Sequence, residues 1–223
     1  FFVSSSLLSR AFKRHKRSLN EKFSKGSQRD AGQVLANGGL SGVFVLLHLL
    51  FPQQLWPWLA YAASLAAANA DTWATEIGVL SPTPPVRITT GRPVERGSSG
   101  GITPLGTLAA LAGAALIAWL AVLPWPGLPA AFSPDQAVIA WILVSLAGLA
   151  GSLVDSGLGA TLQAIYFCPA CQKETERHPW HTCGSPTTPL RGWSFLNNDW
   201  VNFACTLCAA LLALIGASGL PLL

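Results

Sequence analysis

Four acidic side chains lie at the ends of long apolar stretches, where a charge is costly and marks function by default. They are Asp71, Glu76, Asp155 and Asp199. Carboxylate oxygens suit Mg²⁺, which in proteins takes one or two carboxylates and completes its shell with phosphate oxygens and water. The pattern therefore predicts a catalytic Mg²⁺ site in which these four residues orient a polyphosphate.

Helix capping is the alternative explanation for Asp199, because it follows two Asn residues directly before an apolar stretch. Asp71 and Asp155 instead come where a helix would end, and an acidic group there opposes the helix dipole. Function therefore explains these two residues better than capping does. Glu76 follows Asp71 by five residues, so either the helix breaks between them or the two carboxylates serve different partners.

The segment after the second apolar stretch combines small residues with two arginines. Small residues let backbone N–H groups approach an oxyanion, and the helix start that follows adds a positive dipole end. Arginine forks suit phosphate. The predicted phosphate-binding residues here are Arg92, Arg96, Ser98, Ser99, Gly100 and Gly101. A flexible linker is the alternative, but the carboxylates at neighbouring helix ends favour a phosphate site.

Three asparagines near the helix ends complete this prediction as ligands for phosphate or metal-bound water: Asn37, Asn198 and Asn202. The segment after Asp155 is also rich in small residues, which suit either tight helix packing or the approach of a phosphate. The sequence leaves both of these open.

Before the last apolar stretch, three cysteines and one of two histidines, His178 or His181, could form a tetrahedral zinc site. The predicted ligand set takes His181 and consists of Cys168, Cys171, His181 and Cys183. The first pair has the Cys-x-x-Cys spacing of zinc ligands, whereas the second pair is compressed to His-x-Cys. Since four protein ligands close a zinc site, a bound zinc ion would be structural. A loop with ordinary thiols is the alternative.

Five apolar stretches must position these residues, at about 34–51, 55–70, 104–123, 137–154 and 201–220. A transmembrane helix needs about 20 such residues. Apolar residues make up 51% of the 223 residues and charged residues 11%, well below the roughly 25% of soluble domains. We expect an all-α polytopic membrane protein with about five transmembrane helices in a single membrane domain, 1–223. The apolar start before a basic run predicts a further helix upstream.

All 14 Lys and Arg residues fall in three segments that alternate with connections without Lys or Arg. By the positive-inside rule, the loops at about 10–30, 81–102 and 165–198 are cytoplasmic, and so are the site residues. The basic run in the first loop is expected to contact anionic membrane lipids. We expect no nucleic-acid partner, because these cations lie against the membrane.

Five segments resemble, in order, the motifs of one integral-membrane family that includes plant phytyl-phosphate kinase and transmembrane protein 19. The stretch Asp71–Gly78 resembles its Asp-Thr-hydrophobic-Ala/Ser-Glu-hydrophobic-Gly signature. Residues 29–38, 98–102, 155–163 and 197–202 resemble the other four motifs. The resemblance covers nearly the whole chain and adds Ser156 and Gln163 to the predicted phosphate-binding residues.

The resemblance implies a kinase that converts an isoprenyl monophosphate, such as phytyl or geranylgeranyl phosphate, to its diphosphate. A nucleoside triphosphate, with CTP expected, would be the donor. The implied setting is lipid metabolism such as tocopherol biosynthesis, in a plasma, inner or thylakoid-type membrane. A phosphate acceptor needs no general base, which fits the residues. A transporter or flippase for a phosphorylated lipid or ion, and a nucleotidyl- or phosphatidyl-type transferase, are the alternatives. No oligomeric state is predicted.

Overall fold

The computed structural model describes residues 1–11, 30–124 and 132–219. This part of the chain contains six α-helices and five short β-strands. The helices are α1 (Phe2–Ala11), α2 (Ala31–Leu50), α3 (Trp56–Gly78), α4 (Pro104–Val122), α5 (Pro134–Thr161) and α6 (Asn198–Ser218). The strands are β1 (Val86–Arg87), β2 (Gly101–Ile102), β3 (Ile165–Cys168), β4 (Lys173–Thr175) and β5 (Thr188–Arg191). Most of the predicted first loop, residues 12–29, lies outside the described residues.

The expected helical membrane fold is confirmed. Helices α2, α4, α5 and α6 are long and apolar enough to cross a membrane. Helix α3 has 23 residues, which span about 35 Å, and it packs against all four of these helices. Because α3 lies inside the bundle, it needs small side chains more than strongly apolar ones, and most of its buried residues are alanines.

From α2 onward, adjacent helices in the chain run antiparallel, so their ends lie at the two ends of the bundle. Gly78 and Trp73 of α3 meet Gly106 and Gly113 of α4 in reverse order. Helices α2, α4 and α6 therefore begin, and α3 and α5 end, at one end of the bundle, which we name the polar end. All four predicted carboxylates lie on the helices toward this end.

Side chains preceding the helices cap the starts at the polar end. Asp30 accepts a hydrogen bond from the backbone N–H of Gln33 at the start of α2. Thr103 does the same for α4, and Asn197 for α6. Asn197 therefore caps α6, and Asp199 is the second residue of the helix. The capping alternative for Asp199 is wrong, although the positive end of the helix dipole still stabilises the negative charge of this residue.

Glycines in α5 allow three helices to come very close. A Cβ atom at Gly151 would lie 2.7 Å from the carbonyl oxygen of Cys205 in α6 and 2.8 Å from the Cβ of Ala67 in α3. Asp155 and Asp71 each lie four residues further toward the polar end than Gly151 and Ala67, respectively. The close packing of α3 and α5, which run parallel, thus sets these two carboxylates at the same depth.

Two small sheets occupy the connections at the polar end, and neither follows from the helical periodicity of the sequence. Strands β1 and β2 form an antiparallel pair between α3 and α4. Between α5 and α6, the strand order is β4-β3-β5, with both pairs antiparallel. The second sheet carries the predicted zinc ligands in its turns and packs side chains onto the end of α5.

Candidate functional site

Asp155, near the end of α5, lies at the centre of an acidic group. Its Oδ2 atom is buried and receives no hydrogen bond from the described residues. Its charge interacts with those of Asp71 on α3 and Glu176 after β4. Burying a carboxylate among like charges is unfavourable unless a cation or strong donors compensate it. The arrangement therefore fits the binding of a cation at Asp155 and Asp71.

Glu176 is a site residue that the sequence analysis missed. Gln163 joins Glu176 to residues 98–101, the small-residue loop. The amide Nε2 of Gln163 donates to Glu176 Oε1 at 2.9 Å, and the Oε1 of Gln163 accepts from Ser99 Oγ at 2.7 Å. Gln163 is only 2% exposed. The two predicted phosphate-binding residues Ser99 and Gln163 therefore do come together, within a buried network that ends at an acidic side chain.

The small-residue loop packs directly on the last turn of α5. Gly100 has a φ of +80°, and a Cβ there would lie 2.5 Å from the Cα of Ala160. A Cβ at Gly159 would lie 2.6 Å from Ser99 Oγ. The backbone N–H of Gly101 donates to the Ser98 carbonyl at 3.0 Å. Close packing thus explains why glycine is needed at Gly100 and Gly159. It also places the small-residue loop against α5, the helix that carries Asp155.

The two predicted phosphate-binding arginines have different surroundings. Arg96 donates from both guanidinium NH groups, Nη1 and Nη2, to the carbonyls of Val79 and Ser81, each at 2.7 Å. It thereby stabilises the chain just after α3. Arg92 is exposed. The prediction of phosphate binding stays untested for both, but Arg96 already has a structural function.

Two other arginines flank the site, and the sequence analysis did not single them out. Arg191 on β5 donates from Nη1 to the carbonyl of Gly159 at 2.7 Å. Its Nη2 lies 3.6 Å from Glu174 Oε2, and Nη2 of Arg87 lies 3.8 Å from Glu174 Oε1. Partial burial lowers the pKa of Arg191, although Glu174 opposes this shift. The two cations outnumber the carboxylate between them, which suits an incoming polyphosphate.

Of the remaining predicted carboxylates, Glu76 lies near the end of α3 and Asp199 lies in the first turn of α6. Helix α3 continues unbroken through Glu76, so Glu76 lies about 140° around the helix from Asp71. It is 5% exposed. Among the described residues, none of these carboxylates belongs to a compact group of three or more metal-ligand side chains. Asp71 is the predicted carboxylate whose charge interacts with that of Asp155.

The predicted asparagines all lie toward the polar end. Asn37, on α2, donates from Nδ2 to the carbonyl of Gln33 at 3.0 Å. Asn198 begins α6, and Asn202 is buried one turn later. Cys205, whose thiol interacts electrostatically with both Asp155 and Asp71, is three residues beyond Asn202, or about 4.5 Å along the helix. Ser156 is half-buried beside Asp155.

The Cys and His side chains of the third loop form a compact cluster. The ligand atoms of Cys168, Cys171, His181 and Cys183 all lie within 4.8 Å of one another. A hydrogen bond with His181 lowers the pKa of Cys183 to about 6. The hydrogen bond between Cys171 and Cys183 raises the pKa of Cys171 to about 11. The four residues predicted from spacing are therefore brought together.

The fold and these clusters define a polytopic helical membrane protein with an acidic pair at one end of its bundle. The model of the family described as integral membrane protein DUF92 matches residues 1–210. The chain belongs to this family, which agrees with the family resemblance of its motifs. No solved structure matches the chain significantly.

Curated relatives with similar sequences include the following three proteins. Protein PGR of Arabidopsis thaliana is 34% identical over 97% of this chain and 79% of its own length. An uncharacterised membrane protein of Methanocaldococcus jannaschii is 36% identical over 60% of this chain and 52% of its own length. One from Synechocystis is 29% identical over 73% of this chain and 60% of its own length.

Proposed function

We propose that this chain is a membrane-embedded polyprenyl-phosphate kinase. It would transfer a phosphoryl group from a nucleoside triphosphate, with CTP as the first donor to test, to an isoprenyl monophosphate. The observation that carries the proposal is the buried Asp155 Oδ2, which accepts no hydrogen bond from the described residues and lies beside the charge of Asp71. An acidic pair with one buried carboxylate oxygen suits Mg²⁺ together with phosphate oxygens.

Each nearby group has a defined contribution to such a reaction. Asp71 and Asp155 would hold Mg²⁺, which would neutralise negative charge on the polyphosphate. Arg87 and Arg191 would attract and orient the phosphates. The hydrogen bonds of Gln163 would keep the small-residue loop in place beside Asp155. Phosphoryl transfer is catalysed mainly by such positioning and electrostatic stabilisation.

The acceptor's chemistry also favours a lipid monophosphate. A phosphate oxyanion is already a nucleophile, so no general base has to be found among the site residues. The apolar chain of the lipid would stay among the membrane-spanning helices, while its phosphate reached the polar end. By the positive-inside rule this end would face the cytoplasm, where nucleoside triphosphates are available.

The position of the acidic pair weighs against a transporter. Transport sites lie near the bilayer midplane, whereas Asp155 is six residues from the end of α5. A nucleotidyl transferase would use the same metal and would differ in the phosphate bond that is broken.

The experiment that tests the proposal compares two radiolabels on the donor. The chain purified in detergent is incubated with Mg²⁺, geranylgeranyl monophosphate and CTP labelled at either the γ- or the α-phosphate, with ATP in parallel. A lipid diphosphate that carries only the γ label supports the kinase. A lipid that carries the α label, with release of pyrophosphate, would establish nucleotidyl transfer instead. No labelled lipid from folded protein would overturn both activities and favour transport.

A further inference from the structure

The sheet between α5 and α6 carries three cysteine thiols and one histidine ring that lie close together. The Sγ atoms of Cys168 and Cys183 lie 3.6 Å apart. Nδ1 of His181 lies 3.6 Å from the Sγ of Cys171 and 3.2 Å from the Sγ of Cys183. Four ligand atoms from two separate turns therefore surround a common centre.

Two of these separations are close to those within a tetrahedral metal site, and the third, between His181 and Cys183, is shorter. With Zn–S bonds of about 2.3 Å and a Zn–N bond of about 2.1 Å, tetrahedral angles place two sulfurs about 3.8 Å apart and a sulfur and a nitrogen about 3.6 Å apart. A disulfide would require a separation of about 2.05 Å. The geometry of the cluster thus fits coordination rather than cross-linking.

The backbone of the first turn is shaped to present two ligands. Cys168 is the last residue of β3, and Lys173 is the first residue of β4. The turn between them contains Cys171 and then Gln172, whose positive φ of 52° is rarely adopted by a residue other than glycine. This turn directs both thiols to the same side.

The second turn repeats the arrangement on a different part of the chain. His181 and Cys183 precede Gly184, which has a φ of +82°. The backbone N–H of His181 donates to the Ser185 carbonyl at 3.0 Å and closes the turn. In both turns, the second ligand thus comes directly before a residue with positive φ. Two turns of this kind facing each other resemble the ligand-bearing turns of zinc ribbons.

We propose that Cys168, Cys171, His181 and Cys183 bind one structural Zn²⁺ ion. Three thiolates and an imidazole are the ligand types that zinc prefers, and four protein ligands leave no position for a substrate. His181 is 4% exposed and Cys168 is fully buried, so half of the ligand set is shielded from solvent. Zinc binding at these four residues would not depend on the proposed kinase activity.

Zinc would stabilise the segment that reaches the candidate site. Strands β3, β4 and β5 have four, three and four residues, and so small a sheet has little apolar core of its own. The same sheet supplies Arg191 to the carbonyl of Gly159, and the residue after β4 is Glu176. A metal that joins the two turns would therefore fix the side chains that contact the end of α5.

The test is the metal content of the chain, purified in detergent without chelators and under reducing conditions. We expect about one zinc per chain by elemental analysis. X-ray absorption should show three sulfur neighbours at about 2.3 Å and one nitrogen at about 2.1 Å. Replacement of zinc by Co²⁺ should give the visible absorption of a tetrahedral thiolate complex.

Matched variants separate the ligands from other thiols. Cys171→Ser and His181→Ala should lose most of the zinc, whereas Cys208→Ser, in α6, should keep it. His181→Cys should retain zinc, with four sulfur neighbours, because a thiolate can replace the imidazole as the fourth ligand. Wild-type protein without zinc, or full zinc content in Cys171→Ser, would overturn the proposal. So would a Cys168–Cys183 disulfide under the same reducing conditions.

Discussion

A methyl group added at Gly151 tests how closely α3, α5 and α6 must pack to form the acidic pair. In Gly151→Ala, the new Cβ would lie 2.7 Å from the carbonyl oxygen of Cys205, 2.8 Å from the Cβ of Ala67 and 3.2 Å from the Cβ of Ala209. Ordinary contacts between carbon atoms are about 3.5–4.0 Å. Helix α5 would have to move by about 1 Å relative to its neighbours.

The stability and the activity should both decrease. Overpacking of this kind costs about 1–3 kcal/mol, while the higher helix propensity of alanine returns up to about 1 kcal/mol. We expect a net destabilisation of about 1–2 kcal/mol. Since Asp155 lies one turn from Gly151, the displacement also separates it from Asp71. A misplacement of about 1 Å can lower a reaction rate by about 100-fold.

The matched control is Gly157→Ala, on the same helix. A Cβ at Gly157 has no neighbouring atom within 4 Å, so this variant should be as stable as wild type or slightly more stable, and active. The assay is the thermal denaturation temperature in detergent together with the rate of lipid phosphorylation. If Gly151→Ala matched Gly157→Ala in both measurements, the packing argument would be refuted.

Three further substitutions test separate parts of the site. Asp155→Asn should raise the denaturation temperature, because it removes repulsion among the neighbouring carboxylates; Asp135→Asn, at the other end of α5, should leave it unchanged or slightly lower it through the helix dipole. A decrease in Asp155→Asn would argue against net repulsion. Gln163→Leu should cost about 1–3 kcal/mol, because it leaves two partly buried polar groups without their hydrogen bonds; unfolding at the wild-type temperature would contradict this network. Arg87→Gln should raise the KM for the nucleotide several-fold with little change in kcat, and a larger effect in Arg92→Gln would favour the assignment made from sequence.

The membrane helices were predictable because the pattern that defines them is local. Four of the five apolar stretches correspond to helices of membrane-spanning length and composition, and each predicted start lies within three residues of the observed one. The extension of α5 to Thr161 was not predicted, because the apolar stretch ends directly before the polar Asp155. A buried polar residue near a helix end does not by itself stop the helix.

The contacts around Asp155 depend on tertiary structure and were only partly predictable. The parallel register of α3 and α5 pairs Asp155 with Asp71, and both had been singled out. Glu176 and Arg191 reach the site from a sheet whose strands have at most four residues, too short for a clear alternating pattern. The cysteine spacing, in contrast, predicted a ligand cluster directly, because zinc turns have a characteristic local sequence.

The most direct test of the central claim is transfer of γ-labelled phosphate from CTP to geranylgeranyl monophosphate by wild-type protein and Asp71→Asn, measured side by side with Mg²⁺. We predict that wild type forms the labelled diphosphate and that Asp71→Asn loses at least about 100-fold in rate, while remaining in the membrane and folded. Transfer by Asp71→Asn at the wild-type rate would contradict the acidic pair as the catalytic centre.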